Sequence, residues 1–254
     1  MTKKSYAKVN IFLKIVGIRD NYHLLASRFV LVKNLFDEVS FIKRDVKNFT
    51  LEGNFSCALE KNTVYKAYKE LEKYGRVKEF FQNNIVSIDK NIPEFAGLGG
   101  GSSNCACFIN MVNEACNLML SKDELAKIGA KIGADVPFFI YEYNSANVTG
   151  IGEIVEKFVE EPLEIKVITP NILCDTKEIY KIFREKFYKE LNKDKAKELF
   201  ATNSKDILKV FSIREANDLY EPALFLNSNL KEFEKDGWFF SGSGSGGFNN
   251  NNKY

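Results

Sequence analysis

The run Pro93-Glu94-Phe95-Ala96-Gly97-Leu98-Gly99-Gly100-Gly101-Ser102-Ser103 is where the residue types are best suited to hold a ligand. Four of the chain's 16 glycines fall within Gly97–Gly101. Glycine lets successive backbone N–H groups converge on an anion. Small and then apolar residues over 102–119 predict a helix, whose N-terminus adds free N–H donors and positive potential. The Ser102 and Ser103 hydroxyls supply groups for phosphate oxygens or for Mg²⁺. Together these features read as a cradle for a nucleotide triphosphate; the competing reading is a flexible turn or close helix packing. No Lys follows the last glycine, so this is not a Walker A loop, and it is not a GxGxxG turn either.

Two charged residues are of the right type to work on a phosphate and a hydroxyl. Lys8 lies in the alternating segment 5–16, which predicts a strand, and Asp135 lies in the turn Gly133-Ala134-Asp135-Val136-Pro137. A carboxylate there could accept a hydroxyl proton, and the ammonium could orient it and stabilise developing charge. By residue type alone, a solvated strand lysine and a turn-forming aspartate are the favoured readings. The one histidine, His23, follows Tyr22 in a turn. With five cysteines and no CxxC, it leaves no zinc site of familiar spacing. Reduced thiols in a cytoplasmic protein are expected.

Around these residues the chain reads as an ordinary folded protein of 254 residues, 45% hydrophobic and 28% charged. A net charge of +2 gives no reason to expect a nucleic acid partner. No apolar run is long enough to span a bilayer, and Lys8, Asn10 and Lys14 interrupt any secretory signal. Lys and Glu alternate over 176–209 and predict solvated helix faces.

The elements expected to position the chemistry are strands over 5–16, 27–33, 38–43 and 85–90, and a helix over 62–74 with Asn62 as N-cap. A capping box, Ser121 and Glu124, opens a helix over 122–132. Residues 134–140 lead into a strand that Pro137 would place at an edge or bulge. After a soft boundary near 155–162 come a strand over 163–169, a mostly helical stretch over 176–235 and a short strand over 238–240. A second glycine cluster, Gly242–Gly247, runs into four consecutive Asn residues, which predict a disordered polar tail over 246–254.

Several motifs now line up in order: Ala7-Lys8-Val9-Asn10, Arg19-Asp20-Asn21-Tyr22-His23, Ala96–Ser103 and Gly133–Phe138. Gly150-Ile151-Gly152-Glu153, Asn217-Asp218-Leu219 and Ser241–Ser245 complete the set. Over nearly its whole length the chain resembles the GHMP small-molecule kinases. The resemblance implies an α+β, two-domain fold: a ribosomal-protein-S5-like ATP-binding and catalytic domain over 1–158 and a ferredoxin-like domain over 159–245. It implies ATP with Mg²⁺, and an acceptor that is a small alcohol linked to cytidine. By the same resemblance Lys8 and Asp135 are catalytic, and Pro93, Ala96, Gly97, Leu98, Gly99, Gly100, Gly101, Ser102 and Ser103 bind ATP. Tyr22 and His23 take the cytosine base, with Tyr180 the second stacking aromatic. Asn10, Phe29, Thr176, Gly242 and Gly244 line the substrate. Metal ligands are not specified beyond Ser103 as a candidate. A GHMP kinase for another alcohol, of the homoserine or mevalonate type, is the alternative within the fold. A non-catalytic S5-like binding module is the alternative outside it, and it leaves the glycine loop without a purpose.

Overall fold

The computed structural model of the chain describes residues 1–20, 22–189, 193–235 and 237–250. Asn21 of the turn motif and residues 251–254 of the expected tail lie outside the described residues. The strands are β1 (Thr2–Arg19), β2 (Tyr22–Lys43), β3 (Leu51–Gly53), β4 (Asn84–Asp89), β5 (Ser145–Gly150), β6 (Ile154–Lys157), β7 (Ile165–Ile168), β8 (Phe239–Phe240) and β9 (Gly247–Asn250). The first five helices are α1 (Thr63–Leu71), α2 (Val77–Phe80), α3 (Gly100–Ala115), α4 (Lys122–Ala130) and α5 (Val136–Tyr141). The rest are α6 (Thr176–Ile182), α7 (Lys193–Ala201), α8 (Ser204–Val210), α9 (Ile213–Ala216), α10 (Tyr220–Leu226) and α11 (Glu232–Lys235). The content is α+β, as expected. None of the described helices is long and apolar enough to cross a membrane.

Contacts divide the chain into two compact units, each assembled from separate stretches of sequence. The first comprises Met1–Ala7, Lys33–Ile92 and Gly99–Glu142. Here the C-terminal half of β2 pairs antiparallel with β4, from Glu38↔Asp89 to Lys43↔Asn84, and β3 runs parallel to β4. The core is aromatic: Phe41 meets Phe81 and Phe108 edge-on at centroid distances of 5.3 and 5.8 Å, and Phe49 stacks on Tyr68 at 4.1 Å. Such pairs add specific geometry to a large buried apolar area. Helix α1 starts where Asn62 accepts from the Val64 N–H, and α4 starts at the capping box of Ser121 and Glu124. The strand expected over 134–140 is instead α5. A short apolar run such as Val-Pro-Phe-Phe-Ile-Tyr does not distinguish strand from buried helix, and proline in a first turn gives up only a donor that has no helical partner.

The second unit comprises Lys8–Val32, Pro93–Leu98 and the chain from Tyr143 onward. The N-terminal half of β2 pairs with β5, from Leu25↔Gly150 to Val30↔Ser145, and β5 pairs with β6. A second sheet has the order β7-β9-β8. Leu13, Ile15, Ile179, Phe183, Leu219, Tyr220 and Phe240 belong to one buried cluster of this unit. Arg28, wholly buried, ties β2 to the chain around α7 and α8. Its Nε donates to Asn147, its other nitrogens donate to the carbonyls of Phe200 and Thr202, and the guanidinium stacks 3.4 Å from the Phe158 ring centroid. Burial pulls its pKa down to about 10, against the pull of Glu160, so it stays protonated at neutral pH.

The disordered tail expected from 246 onward is corrected as far as residue 250. β9 is the central strand of its sheet, pairing Ile165↔Asn250 to Ile168↔Gly247 on one side and Phe239↔Phe248 on the other. Phe248 is fully buried. Backbone pairing on both edges and one core aromatic hold a segment that its Asn content argues against.

Candidate active site

Helix α3 begins at Gly99, whose left-handed backbone (φ 73°) starts the helix without a side-chain cap. No side chain caps the first-turn N–H groups of this sixteen-residue helix, and Ile92 packs beside Gly100. Ser103 is buried and its Oγ accepts from Ser5 Oγ at 2.8 Å. Ser102 is half-buried and lies against the turn that carries Asp135, since a Cβ added at Gly133 would stand 3.7 Å from Ser102 Oγ. The Gly101 carbonyl accepts from Thr63 Oγ1 at 2.7 Å.

Beneath this loop lies a polar network absent from the sequence reading. Asp37, fully buried, accepts the backbone N–H groups of Asn91 and Ile92, each at 2.7 Å, through one oxygen. Its other oxygen accepts from Asn104 Nδ2 at 2.8 Å and pairs with Lys90. Lys90 also reaches Asn104 Oδ1 at 2.9 Å. The network fixes the two residues that lead into Pro93 and the second turn of α3. Nothing in the sequence marks Asp37, which stands beside a second acidic residue, Glu38, in a β-rich segment.

Lys8, Asn10, Phe29, Gly97 and Gly242 come together in the second unit. Lys8 Nζ donates to Asn10 Oδ1 at 2.7 Å and to the Gly97 carbonyl at 3.0 Å, and stands 4.6 Å above the Phe29 ring. Lys8 and Asn10 are 3% and 2% exposed, so neither is a solvated strand residue. The backbone of Lys8 also donates to the Leu98 carbonyl. The second glycine cluster packs directly on Phe95–Gly97. Gly246 N–H bonds to the Ala96 carbonyl at 3.0 Å, and a Cβ at Gly244 would fall 2.0 Å from the Gly97 nitrogen. Only glycine tolerates that approach. Gly246 thus packs on the glycine loop, whereas Gly247 lies against Phe233 and Ile168 at the start of β9.

Tyr22, His23, Thr176 and Tyr180 share a cavity of ≈ 490 Å³, completed by Ile151, Lys177, Lys181 and Arg184. Asp20 adopts a left-handed backbone (φ 55°) just before it. The His23 ring lies 4.9 Å from Tyr180 and edge-on to Phe183 at 5.8 Å. Its Nε2 is buried without a hydrogen-bond partner, a costly arrangement that a ligand donor or acceptor would relieve. Burial, and secondarily the charge of Arg184, lowers the His23 pKa, so the imidazole is neutral at pH 7. Thr176 Oγ1 lies 2.8 Å from Ser243 Oγ, which joins the Gly-Ser motif to the cavity. The three cations escaped the sequence reading because α6 and the π-helical turn Phe183–Phe187 look like solvated helix surface.

Asp135 lies in the first unit, half-buried at the N-cap position of α5. Its carboxylate does not cap that helix; the Val136 N–H bonds to the Gly133 carbonyl instead.

A family model described as GHMP kinases N terminal domain matches residues 62–143. The 4-diphosphocytidyl-2-C-methyl-D-erythritol kinase of Sulfurimonas denitrificans is 52% identical over 252 residues, spanning 96% of this chain and 95% of that protein. This chain belongs to the 4-diphosphocytidyl-2-C-methyl-D-erythritol kinase family. The kinase of that name from Campylobacter jejuni subsp. doylei is 41% identical, over 96% of this chain and 98% of its own. A crystal structure of 4-(cytidine 5'-diphospho)-2C-methyl-D-erythritol kinase superposes with a TM-score of 0.75 at 26% identity, covering 98% of this chain and 89% of that one. The Methanococcus jannaschii mevalonate kinase, at 16% identity and a TM-score of 0.59, shares the GHMP kinase fold.

Proposed function

We propose that the protein transfers the γ-phosphate of ATP to the 2-hydroxyl of 4-diphosphocytidyl-2-C-methyl-D-erythritol, a step toward isoprenoid precursors. The observation that carries this reading is the cavity of Tyr22, His23 and Tyr180, whose buried Nε2 lacks a partner. Aromatic faces and one orphaned ring nitrogen suit a nucleobase, and a homoserine or mevalonate kinase needs neither. Residues 1–158 and 159–250 are assigned to the family's S5-like and ferredoxin-like domains, the second extended by β9. All five thiols are free, which supports a reducing compartment such as the cytoplasm.

In this reading Asp135 accepts the hydroxyl proton as the oxygen attacks the γ-phosphorus and the bond to ADP breaks. Lys8, oriented by Asn10 and the Gly97 carbonyl, stabilises the charge on the transferring group. The uncapped first turn of α3, with Gly97–Ser103, binds the phosphate chain, and Pro93, Ala96 and Leu98 shape the approach. Thr176, Phe29, Gly242 and Gly244 border the acceptor. No cluster of three His, Cys, Asp or Glu side chains among the described residues is placed to hold a metal. In this reading Mg²⁺ would be carried on the nucleotide phosphates and would neutralise their charge, with Ser103, buried against Ser5, as the candidate protein group.

A coupled ADP-release assay across the cytidylated alcohol, homoserine and mevalonate tests the reading. Turnover of the cytidylated substrate alone is expected; turnover of either other alcohol with none of it overturns the assignment. His23→Ala is expected to raise KM for the cytidylated substrate roughly tenfold, about 1.4 kcal/mol, and to leave KM for ATP unchanged. Because the His23 pKa is lowered from 6.5, the wild-type KM should stay flat through neutral pH. It should rise only once acidification below that value protonates the ring. A KM change for ATP instead would place His23 in the other pocket.

A further inference from the structure

We infer that Ser27, a residue with no role assigned above, is a positioning residue that fixes the direction of the hydrogen bonds reaching Lys8. The inference rests on the proposed role of Lys8. Ser27 lies on β2 and is 0% exposed. Its hydroxyl donates to the Phe12 carbonyl at 2.5 Å, so its single proton is committed and the lone pairs are what face the neighbouring side chain. Asn10 Nδ2 donates to that oxygen at 3.0 Å. The other end of the amide, Oδ1, then accepts from Lys8 Nζ at 2.7 Å.

The chain of bonds runs one way, from the Lys8 ammonium through Asn10 and Ser27 to the Phe12 carbonyl. Direction matters because the two ends of an asparagine amide are almost the same size, and only their partners decide which end faces which way. With Nδ2 turned toward Lys8, donor would oppose donor at a buried ammonium. A Ser27 that can only accept excludes that orientation. The Gly97 carbonyl, itself held by Ser241 Oγ at 3.2 Å, accepts a second ammonium proton. The Asn10 and Gly97 oxygens thereby help to aim Lys8, and Ser27 determines that the Asn10 amide turns its oxygen, not its nitrogen, toward the ammonium. Buried polar chains of this kind act as units, so loss of the distal member is felt at the near one.

Ser27→Ala removes the acceptor without adding bulk. It is expected to lower kcat about tenfold or more, with both KM values within about twofold of wild type. The alkaline limb of the kcat–pH profile should move to lower pH as the ammonium loses an acceptor. Ser27→Thr, which keeps the hydroxyl, should recover most of kcat and restore the profile. A Ser27→Ala enzyme with wild-type kcat and pH profile overturns the inference, even if its Tm falls, because that is what a purely structural serine would give. So does a Ser27→Thr enzyme of native Tm that is as slow as Ser27→Ala. Lys8→Met, measured alongside, separates the two ideas. If it retains turnover, the role of Lys8 fails; if it is inactive while Ser27→Ala is unimpaired, the role of Lys8 stands and that of Ser27 falls.

Discussion

Asp135→Asn is expected to lower kcat by about 10²–10⁴-fold, the range that a positioned general base contributes, with KM for both substrates little changed. Asparagine keeps the shape of the side chain and its capacity to hydrogen-bond a hydroxyl, but it cannot take the proton. The variant separates positioning from proton transfer, which matters in phosphoryl transfer because orientation and charge stabilisation alone can carry much of the rate. The turn itself does not depend on the carboxylate as a cap, since the Val136 N–H keeps its bond to the Gly133 carbonyl. Circular dichroism should therefore show a folded protein. Single-turnover measurements at saturating ATP read the chemical step directly. Turnover near the wild-type rate would show that Asp135 is not an essential base.

Asp37→Ala should be the most destabilising single substitution near the glycine loop. Both carboxylate oxygens are in use, and its removal strands two backbone N–H groups at Asn91 and Ile92 and takes the counter-charge from Lys90, which keeps Asn104 Oδ1 as an acceptor while Asn104 Nδ2 keeps Ser5 Oγ. Breaking a buried pair on one side costs about 3–5 kcal/mol, because the remaining charge stays buried without its partner. The expected fall in Tm is roughly 2–4 °C for each kcal/mol in a chain of this size. KM for ATP should rise as well, because Asn91 and Ile92 lead into Pro93 and Asn104 sits in α3. The double variant Asp37→Ala/Lys90→Met should regain part of the stability by removing the stranded cation. Urea unfolding of the three proteins decides the matter. A loss below about 1 kcal/mol in the single variant would mean that water or a neighbouring group replaces the carboxylate.

The parts of this molecule that could be read from the sequence are those with a local physical cause. Asn62 and Ser121 start α1 and α4 because a short side-chain oxygen satisfies a helix N–H two or three residues on, a relation visible in the chain itself. Gly99 starts α3 because the backbone there needs a positive φ. What could not be read depends on partners distant in sequence. Asp37 looks like any acidic residue of a strand until Asn91, Ile92 and Asn104 fold against it. Val136–Tyr141 carries an apolar run that suits strand and helix alike. Gly247–Asn250 becomes a strand only because β7 and β8 flank it, and a central position supplies what composition withholds. Lys177, Lys181 and Arg184 line the cavity of His23, yet their spacing is that of any solvated helix. The candidate ligand-binding residues were accessible because their motifs recur in fixed order, whereas the groups that hold them in place form no motif.

One cysteine stands out as a handle for chemical labelling. Burial pushes Cys107 up to about 12, Cys116 and Cys174 up to about 11, and Cys105 higher still, so none of the four presents appreciable thiolate near neutral pH. Cys57 alone is exposed, in the segment between β3 and α1. A maleimide dye added at neutral pH would couple there first. It would report on the loop leading to Asn62 without any engineered cysteine.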